Sequence, residues 1–288
     1  MEKAKPFIKW VGGKRQLLPK ILELVPKNIN TYYEPFIGGG AVYFNIEAKN
    51  YNISDINHEL VNLYDNIKNN SEKLFKELKK IQDSYDKLRT DNKESDLEKM
   101  SEFYYNMRNI DREEEYKKWS SEKKAARFIF LNKTAFNGLY RVNKKGQHNV
   151  PFGKYYKPTI FDKENLIQCK LRLNDNTQIS INSFEHVLEK AKKGDFVYFD
   201  PPYVPLNKTS NFTSYAKESF DKEMQIKLKE TCDKLTEKGV NWMLSNSSAD
   251  FVLELYKDYN INLVDASRNI NSKGDKRGTV KEVLVTNY

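Results

Sequence analysis

Apolar positions follow two rhythms along this chain. From residue 178 onward, short apolar runs alternate with stretches of helical spacing. Runs at 178–182, 196–199, 240–245, 261–266 and 280–286 predict strands, and 220–238 and 248–257 predict helices between them. Residues 1–60 have the same character: 31–34 predicts a strand, Gly38-Gly39-Gly40 a tight turn, 41–48 a helix, and 51–54 a strand ending at Asp55. Residues 61–130 differ, being charged and glycine-poor, with Leu74, Leu78 and Ile81 at helical spacing. The pattern predicts an α/β fold with a mostly parallel, doubly wound, Rossmann-like sheet. Its last strand follows the basic loop 272–278 and is expected to run antiparallel to the strand before it. The chain would divide into 1–60, the first part of the α/β domain, 61–177, a helical insertion carrying a hairpin, and 178–288, the second part of the α/β domain.

Charge adds a partner to this picture. The 288 residues carry a net charge of +9, and 13% aromatic residues suffice for a core despite 31% charged ones. Between Glu122 and Asp162 no acidic residue occurs. The basic ones there are Lys123, Lys124, Arg127, Lys133, Arg141, Lys144, Lys145, Lys154 and Lys157, as many as the net charge of the whole chain. Phe136, Tyr140, Phe152, Tyr155 and Tyr156 interleave with them, which predicts a nucleic-acid surface. Within it, 139–142 and 148–152 read as hairpin strands around a turn at 144–146. A two-stranded ribbon fits the major groove of duplex DNA, where arginine pairs bidentately with guanine. Arg141 would project from the strand, and Lys144 and Lys145 at the tip would meet phosphates. The two cysteines, Cys169 and Cys232, make no disulfide framework and fit a reducing, cytoplasmic setting. No apolar leader or run of ~18 apolar residues predicts membrane association. His58, His148 and His186 fit no metal spacing, so no metal is expected.

Two loops carry the candidate chemistry. In "EPFIGGGAVYF" the glycines, with Gly38 and Gly40 foremost, let backbone approach a ligand closely, but they supply neither a dinucleotide fingerprint nor a Walker A loop. Asp55 ends the next strand and can bind both hydroxyls of a ribose. A nucleoside with a zwitterionic tail fits better than a pyrophosphate, and S-adenosylmethionine is such a ligand. The second loop, "GDFVYFDPPY", runs a buried strand into Asp200-Pro201-Pro202-Tyr203. The amino group of a base is a poor nucleophile because its lone pair is conjugated into the ring. The Asp200 carboxylate and the Pro201 carbonyl could accept its two hydrogens and free that pair, while Tyr203 stacks on the base. Positioning of two reactants would carry much of the rate. The amino nitrogen of adenine, of cytosine or of an RNA base, or a catalytically silent DNA-binding regulator, remain open at this level.

The ordered set "FIKWVGGKRQLLP", "YYEPFIGGGAVYF", "SDINHELVNLY", "FNGLYRVNKKGQHNVPFGKY", "VYFDPPYVPL", "FTSYAKESF" and "LSNSS" resembles the Dam-type, class D12, DNA N6-adenine methyltransferases over nearly the whole chain. The resemblance implies methyl transfer from S-adenosylmethionine to adenine N6 in double-stranded DNA, with GATC as the favoured site and the target base flipped out. It implies that Trp10, Lys14, Phe36, Phe184, Asp55 and Asp200 contact the cofactor. Phe136 would enter the base stack, with Asn137, Leu139 and Pro151 contacting bases or backbone, and Lys9 and Arg141 each reading a guanine. A monomer or weak dimer is expected. Enzymes of this kind serve restriction–modification, phage or solitary roles.

Overall fold

The computed structural model describes residues 3–205, 220–267 and 279–288. Both "FTSYAKESF", apart from Phe220, and the basic loop 272–278 lie outside the described residues. The chain packs as two units: residues 3–13 group with 57–174, and residues 14–56 group with 175 onward. Lys9 and Trp10 therefore lie in the first unit, Lys14 in the second.

The first unit is helical. Its principal helices are His58–Asn69, Ser71–Asp86, Lys93–Asn109, Ser121–Thr134 and Lys163–Arg172. Side-chain oxygens of Asn57, Asn92, Ser120 and Asp162 accept N–H groups in the first turns of four of them, satisfying donors the helix itself leaves unpaired. Leu74 and Leu78 are buried as their spacing predicts. Ser121–Thr134 is the central helix, with residues 125–132 all buried. Phe130 of that helix makes edge or tilted ring contacts with Tyr85, Phe103 and Tyr104.

The second unit contains one seven-stranded sheet. Its strands are β1 Thr31–Glu34, β2 Asn50–Asp55, β3 Thr177–Ile181, β4 Phe196–Phe199, β5 Asn241–Ser247, β6 Asn260–Ser267 and β7 Thr279–Thr286. The spatial order is β3-β2-β1-β4-β5-β7-β6. All neighbours are parallel except β7, which is antiparallel to both β5 and β6. The last strand is thus antiparallel as expected, and it also inserts between the two strands that precede it. Val197, Phe199, Trp242, Leu244, Val283 and Val285 form a core on which Leu228 and Leu235 of the helix Lys222–Glu237 pack. The order reverses between β1 and β4, so the loops after Glu34 and after Phe199 both leave at the topological switch point. In doubly wound sheets, that is where ligands bind.

Two local expectations fail. Residues 41–45 form consecutive turns and 46–48 run on without regular structure, rather than as a helix; Phe44 N–H is bonded to the Gly40 carbonyl, but Asn45 and Ile46 N–H are both bonded to that of Val42. Val42, Tyr43, Phe44 and Ile46 are all buried. With these four enclosed and Glu47 exposed, packing of the apolar residues, not helical period, sets the course of the segment. The hairpin is also less regular than predicted. It has two isolated bridges, Val142 with His148 and Ala135 with Phe152, and no continuous ladder. Asn143 closes the turn by accepting N–H groups of Lys145 and Gln147 at 2.9 and 3.1 Å. Side chains elsewhere in the unit grip the return arm: Asp111 accepts the His148 N–H at 2.9 Å, Arg112 donates to the His148 carbonyl at 3.0 Å, and the Tyr104 hydroxyl to that of Val150 at 2.8 Å.

Candidate active site

Asp200 follows the last residue of β4, and its carboxylate meets the Lys14 ammonium at 2.7 Å. Lys14 is only 5% exposed, and its nitrogen also lies 4.7 Å from the centre of the Tyr203 ring. A cation thus holds the two surfaces, carboxylate and aromatic face, that a base's amino group and ring are respectively expected to use. Removal from water pushes the Asp200 carboxyl above its ordinary range, and the Lys14 charge opposes that rise. Tyr203 donates to Glu282 of β7 at 2.8 Å, which fixes its ring. Removal from water, with the Asp200 and Glu282 carboxylates beside it, raises the phenol well above its usual range, so it is a neutral donor. Among the described residues no donor is bonded to the Pro201 carbonyl. Two prolines without N–H groups leave this turn unable to extend the β4–β5 ladder, which ends at Phe199 opposite Leu244.

The glycine loop lies at the other side of the switch point. Gly38 and Gly40 have φ of 46° and 71°, a region that favours glycine over residues with a Cβ. Gly38 N–H donates to the Asp55 carboxylate at 3.3 Å, joining the loop to the end of β2. Before the loop, Glu34 is buried and accepts the Tyr32 hydroxyl at 2.7 Å, and removal from water pushes its carboxyl up to about 8. Phe36 and Phe184 stack on one another, 5.7 Å between centres, with Phe220 edge-on to both. A planar ligand ring would border this pair rather than slide between its rings. Gly38, Gly40, Asp55, Phe36, Phe184, Lys14, Asp200, Pro201 and Tyr203 thus all belong to the second unit.

The candidate DNA contacts all belong to the first unit. Phe136 is 52% exposed on a single 3-10 turn, Phe136–Gly138, and its N–H donates to the Pro151 carbonyl at 2.9 Å. Asn137 is exposed with φ 55°. Leu139 is half-buried, while Pro151, Lys9, Lys144 and Lys145 are exposed. Arg141 is exposed and donates to the Asn149 side chain and carbonyl at 2.7 and 3.1 Å, so its guanidinium is already oriented along the hairpin. Trp10 stacks in an aromatic group with Tyr140 and Phe128, at 5.5 and 6.3 Å between centres. One member of the basic run is misassigned by sequence. Arg127 is 1% exposed, paired with Asp111 at 2.8 Å and bonded to the Met107 and Arg108 carbonyls. It is a structural cation, not part of a solvated basic face. His148 is likewise buried, and burial together with the neighbouring arginines pushes its imidazole down to about 3.

Sequence reasoning missed several residues that hold these groups. Asn132 accepts the Lys9 N–H at 2.8 Å and donates to the Lys9 and Gly138 carbonyls at 2.7 and 3.0 Å, binding the Lys9 backbone to the Phe136 turn. A Cβ at Gly138 would lie 2.5 Å from the Lys9 side chain. Gln225, Asn246 and Ser247 grip the segment after Asp200, and the motif "LSNSS" contains two of them. Among the described residues there is no cluster of three metal-ligating side chains, and no helix is long and apolar enough to cross a membrane.

Comparison with known proteins assigns the family. Residues 10–270 match the family described as D12 class N6 adenine-specific DNA methyltransferase. The chain is 44% identical over 285 residues to the type II methyltransferase M1.LlaDCHI of Lactococcus lactis subsp. cremoris, covering 99% of this chain and 95% of that one. It is 47% identical over 295 residues to the type II methyltransferase M.MjaIII of Methanocaldococcus jannaschii, covering 99% of each. The DNA adenine methylase of Escherichia coli K12 is 32% identical over 284 residues, covering 99% of this chain and 95% of the relative. With the match spanning nearly the whole sequence, the chain belongs to the D12 class of N6 adenine-specific DNA methyltransferases.

Proposed function

We propose that this adenine-specific DNA methyltransferase takes its methyl group from S-adenosylmethionine and places it on N6 of the adenine in GATC, after that base has left the duplex stack. The observation that carries the reading is the turn after β4, where the Asp200 carboxylate, a Pro201 carbonyl to which no donor among the described residues is bonded, and a fixed Tyr203 ring occur within four residues. The second unit acts as the catalytic domain and the first as the target-recognition domain.

The fit of the cofactor rests on the glycine loop and its tie to Asp55. Gly38 and Gly40, both at positive φ, carry no Cβ to obstruct a closely approaching ligand, and Asp55 presents a carboxylate suited to two ribose hydroxyls. The cofactor would supply a methyl on a cationic sulfur that departs as a neutral thioether. The chain's own residues do the rest. An entering adenine displaces the Lys14 ammonium from Asp200. The carboxylate and the Pro201 carbonyl then accept the two amino hydrogens and draw the nitrogen toward a tetrahedral shape. As the nitrogen–carbon bond forms and the carbon–sulfur bond breaks, one amino proton is lost toward Asp200. Trp10, Lys14, Phe36, Gly38, Gly40, Asp55, Phe184 and Asp200 are the proposed cofactor contacts. Phe136 fills the space left in the stack, supported by Asn137, Leu139 and Pro151, while Arg141 and Lys9 read guanines.

Two results are expected. Asp55→Ala should weaken cofactor binding by about 1–3 kcal/mol, the range for losing hydrogen bonds to a charged group, and saturating cofactor should restore part of the activity. Unchanged affinity by calorimetry would remove the ribose assignment. Short duplexes carrying GATC, or one of its single-base substitutions, test the site. Label should enter the GATC duplex, and duplexes with a replaced base pair should lose about 1–3 kcal/mol of discrimination each. Equal labelling of every duplex would overturn the GATC reading.

A further inference from the structure

We propose that Gln225, Asn246 and Ser247 are positioning residues for methyl transfer, acting by aiming the Asp200–Tyr203 turn. This deepens the reading of that turn given above and rests on it. The need arises from the sequence of the turn itself. Pro201 and Pro202 have no N–H groups, and β4 stops pairing at Phe199. β5 continues for three residues beyond that point, paired only with β7 on its other side: Ser245, Asn246 and Ser247. Their side chains take over where the backbone ladder ends.

The contacts form one chain. The Gln225 amide, on the helix Lys222–Glu237, donates to the Pro202 carbonyl at 2.9 Å. Its oxygen accepts the Asn246 amide at 3.1 Å. The Asn246 oxygen accepts Val204 N–H at 3.2 Å and Ser247 N–H at 2.8 Å. The Ser247 hydroxyl donates to the Val204 carbonyl at 2.6 Å. Three backbone groups, one on each of two residues flanking Tyr203 and a second on Val204, are therefore set by side chains rather than by secondary structure. Ser245, one residue before, meets the Tyr198 hydroxyl at 2.6 Å in the body of the sheet.

Gln225, Asn246 and Ser247 are 1%, 0% and 2% exposed. Burying two amides and a hydroxyl costs free energy that apolar side chains of similar size would not incur, unless every polar atom is bonded. The bonds are made, and each ends on the turn or on another member of the chain. Gripping the Pro202 carbonyl turns it away from the substrate and leaves the adjacent Pro201 carbonyl as the acceptor presented beside Asp200. Displacement of such an acceptor by 1 Å is enough to cost about 10²-fold in rate.

The test uses the full-length protein with DNA and S-adenosylmethionine, under single turnover and steady state. Gln225→Met keeps volume and removes both bonds. Its kcat should fall about 10- to 100-fold while KM for DNA and cofactor affinity stay near wild type. Gln225→Glu adds a diagnostic readout. The protonated carboxyl can donate to the Pro202 carbonyl as the amide does, but the carboxylate repels it. This variant's kcat should approach wild type on the acid side and fall as pH rises through the new carboxyl, a limb absent from the wild-type profile and from Gln225→Met. If Gln225→Met does not fold, Ser247→Ala, which removes only the donor to Val204, carries the same expectation of lowered kcat at constant KM. A folded variant with wild-type kcat, or a Gln225→Glu profile without the extra limb, overturns the positioning role. Asp200→Ala measured in parallel separates the two levels: if it stays active, the reading of the turn falls; if it is inactive while Gln225→Met is not, only the positioning role falls.

Discussion

Asp200→Ala is expected to lose methyl transfer by about 10²–10³-fold, the range for removing a preorganised polar contact to a reacting group, while duplex binding persists. The carboxylate is one of two acceptors proposed for the amino hydrogens, and without it the lone pair stays in the ring. Binding persists because the candidate DNA contacts, from Lys9 to Pro151, belong to the other unit. The substitution also removes the carboxylate that meets the Lys14 ammonium at 2.7 Å, and that ammonium is 5% exposed. Some loss of stability should accompany it. Asp200→Asn separates the effects, since its amide oxygen still accepts one hydrogen bond and its shape is unchanged. It should retain more activity than the alanine variant. Single-turnover rates and gel-shift affinities measured on both variants check this, and near-normal turnover by Asp200→Ala would remove the mechanism.

Arg141→Ala should lower discrimination between GATC and a site with the matching guanine replaced by about 1–3 kcal/mol, the value of a bidentate arginine–guanine pair. Its guanidinium is exposed and already directed by two bonds to Asn149, so little ordering remains to be done on binding. Lys144→Ala and Lys145→Ala should behave differently. Both residues are exposed in the turn of the hairpin, where phosphate contact is expected. Each should weaken binding to all sequences alike and flatten the salt dependence by roughly one unit of slope. Methylation rates on a panel of substituted sites at two salt concentrations separate the roles. If Arg141→Ala lowers every site equally, it belongs with the phosphate contacts.

What could be read in the sequence followed from local signals strong enough to survive tertiary packing. β1 and β4 fall at the predicted residues because continuous apolar runs end there in proline or charge. The Asp200–Tyr203 turn was visible because two prolines at a strand end are costly without a reason. The segment 41–48 reads as the helix that follows the glycine turn, whereas burial of Val42, Tyr43, Phe44 and Ile46 sets an irregular course. Arg127 misled for another reason: within a basic run it read as solvated, yet carbonyls of Met107 and Arg108 and the Asp111 carboxylate compensate it inside the unit. Gln225 was illegible because a glutamine on a charged amphipathic helix normally faces water. Only the approach of β5 and the proline turn gives it partners. The hairpin's side-chain clamps, Tyr104, Asp111 and Arg112, were hidden likewise, lying 36–46 residues from the carbonyls and N–H they hold.

The central claim is that this protein moves a methyl group from S-adenosylmethionine to N6 of adenine in a defined DNA site. Unmethylated DNA incubated with the protein and methyl-labelled cofactor, then digested to nucleosides and in parallel mapped for sequence context, tests it most directly. Label is expected in N6-methyl-2′-deoxyadenosine alone, within GATC. Label in a cytosine derivative, or in adenine without regard to neighbouring bases, would contradict it.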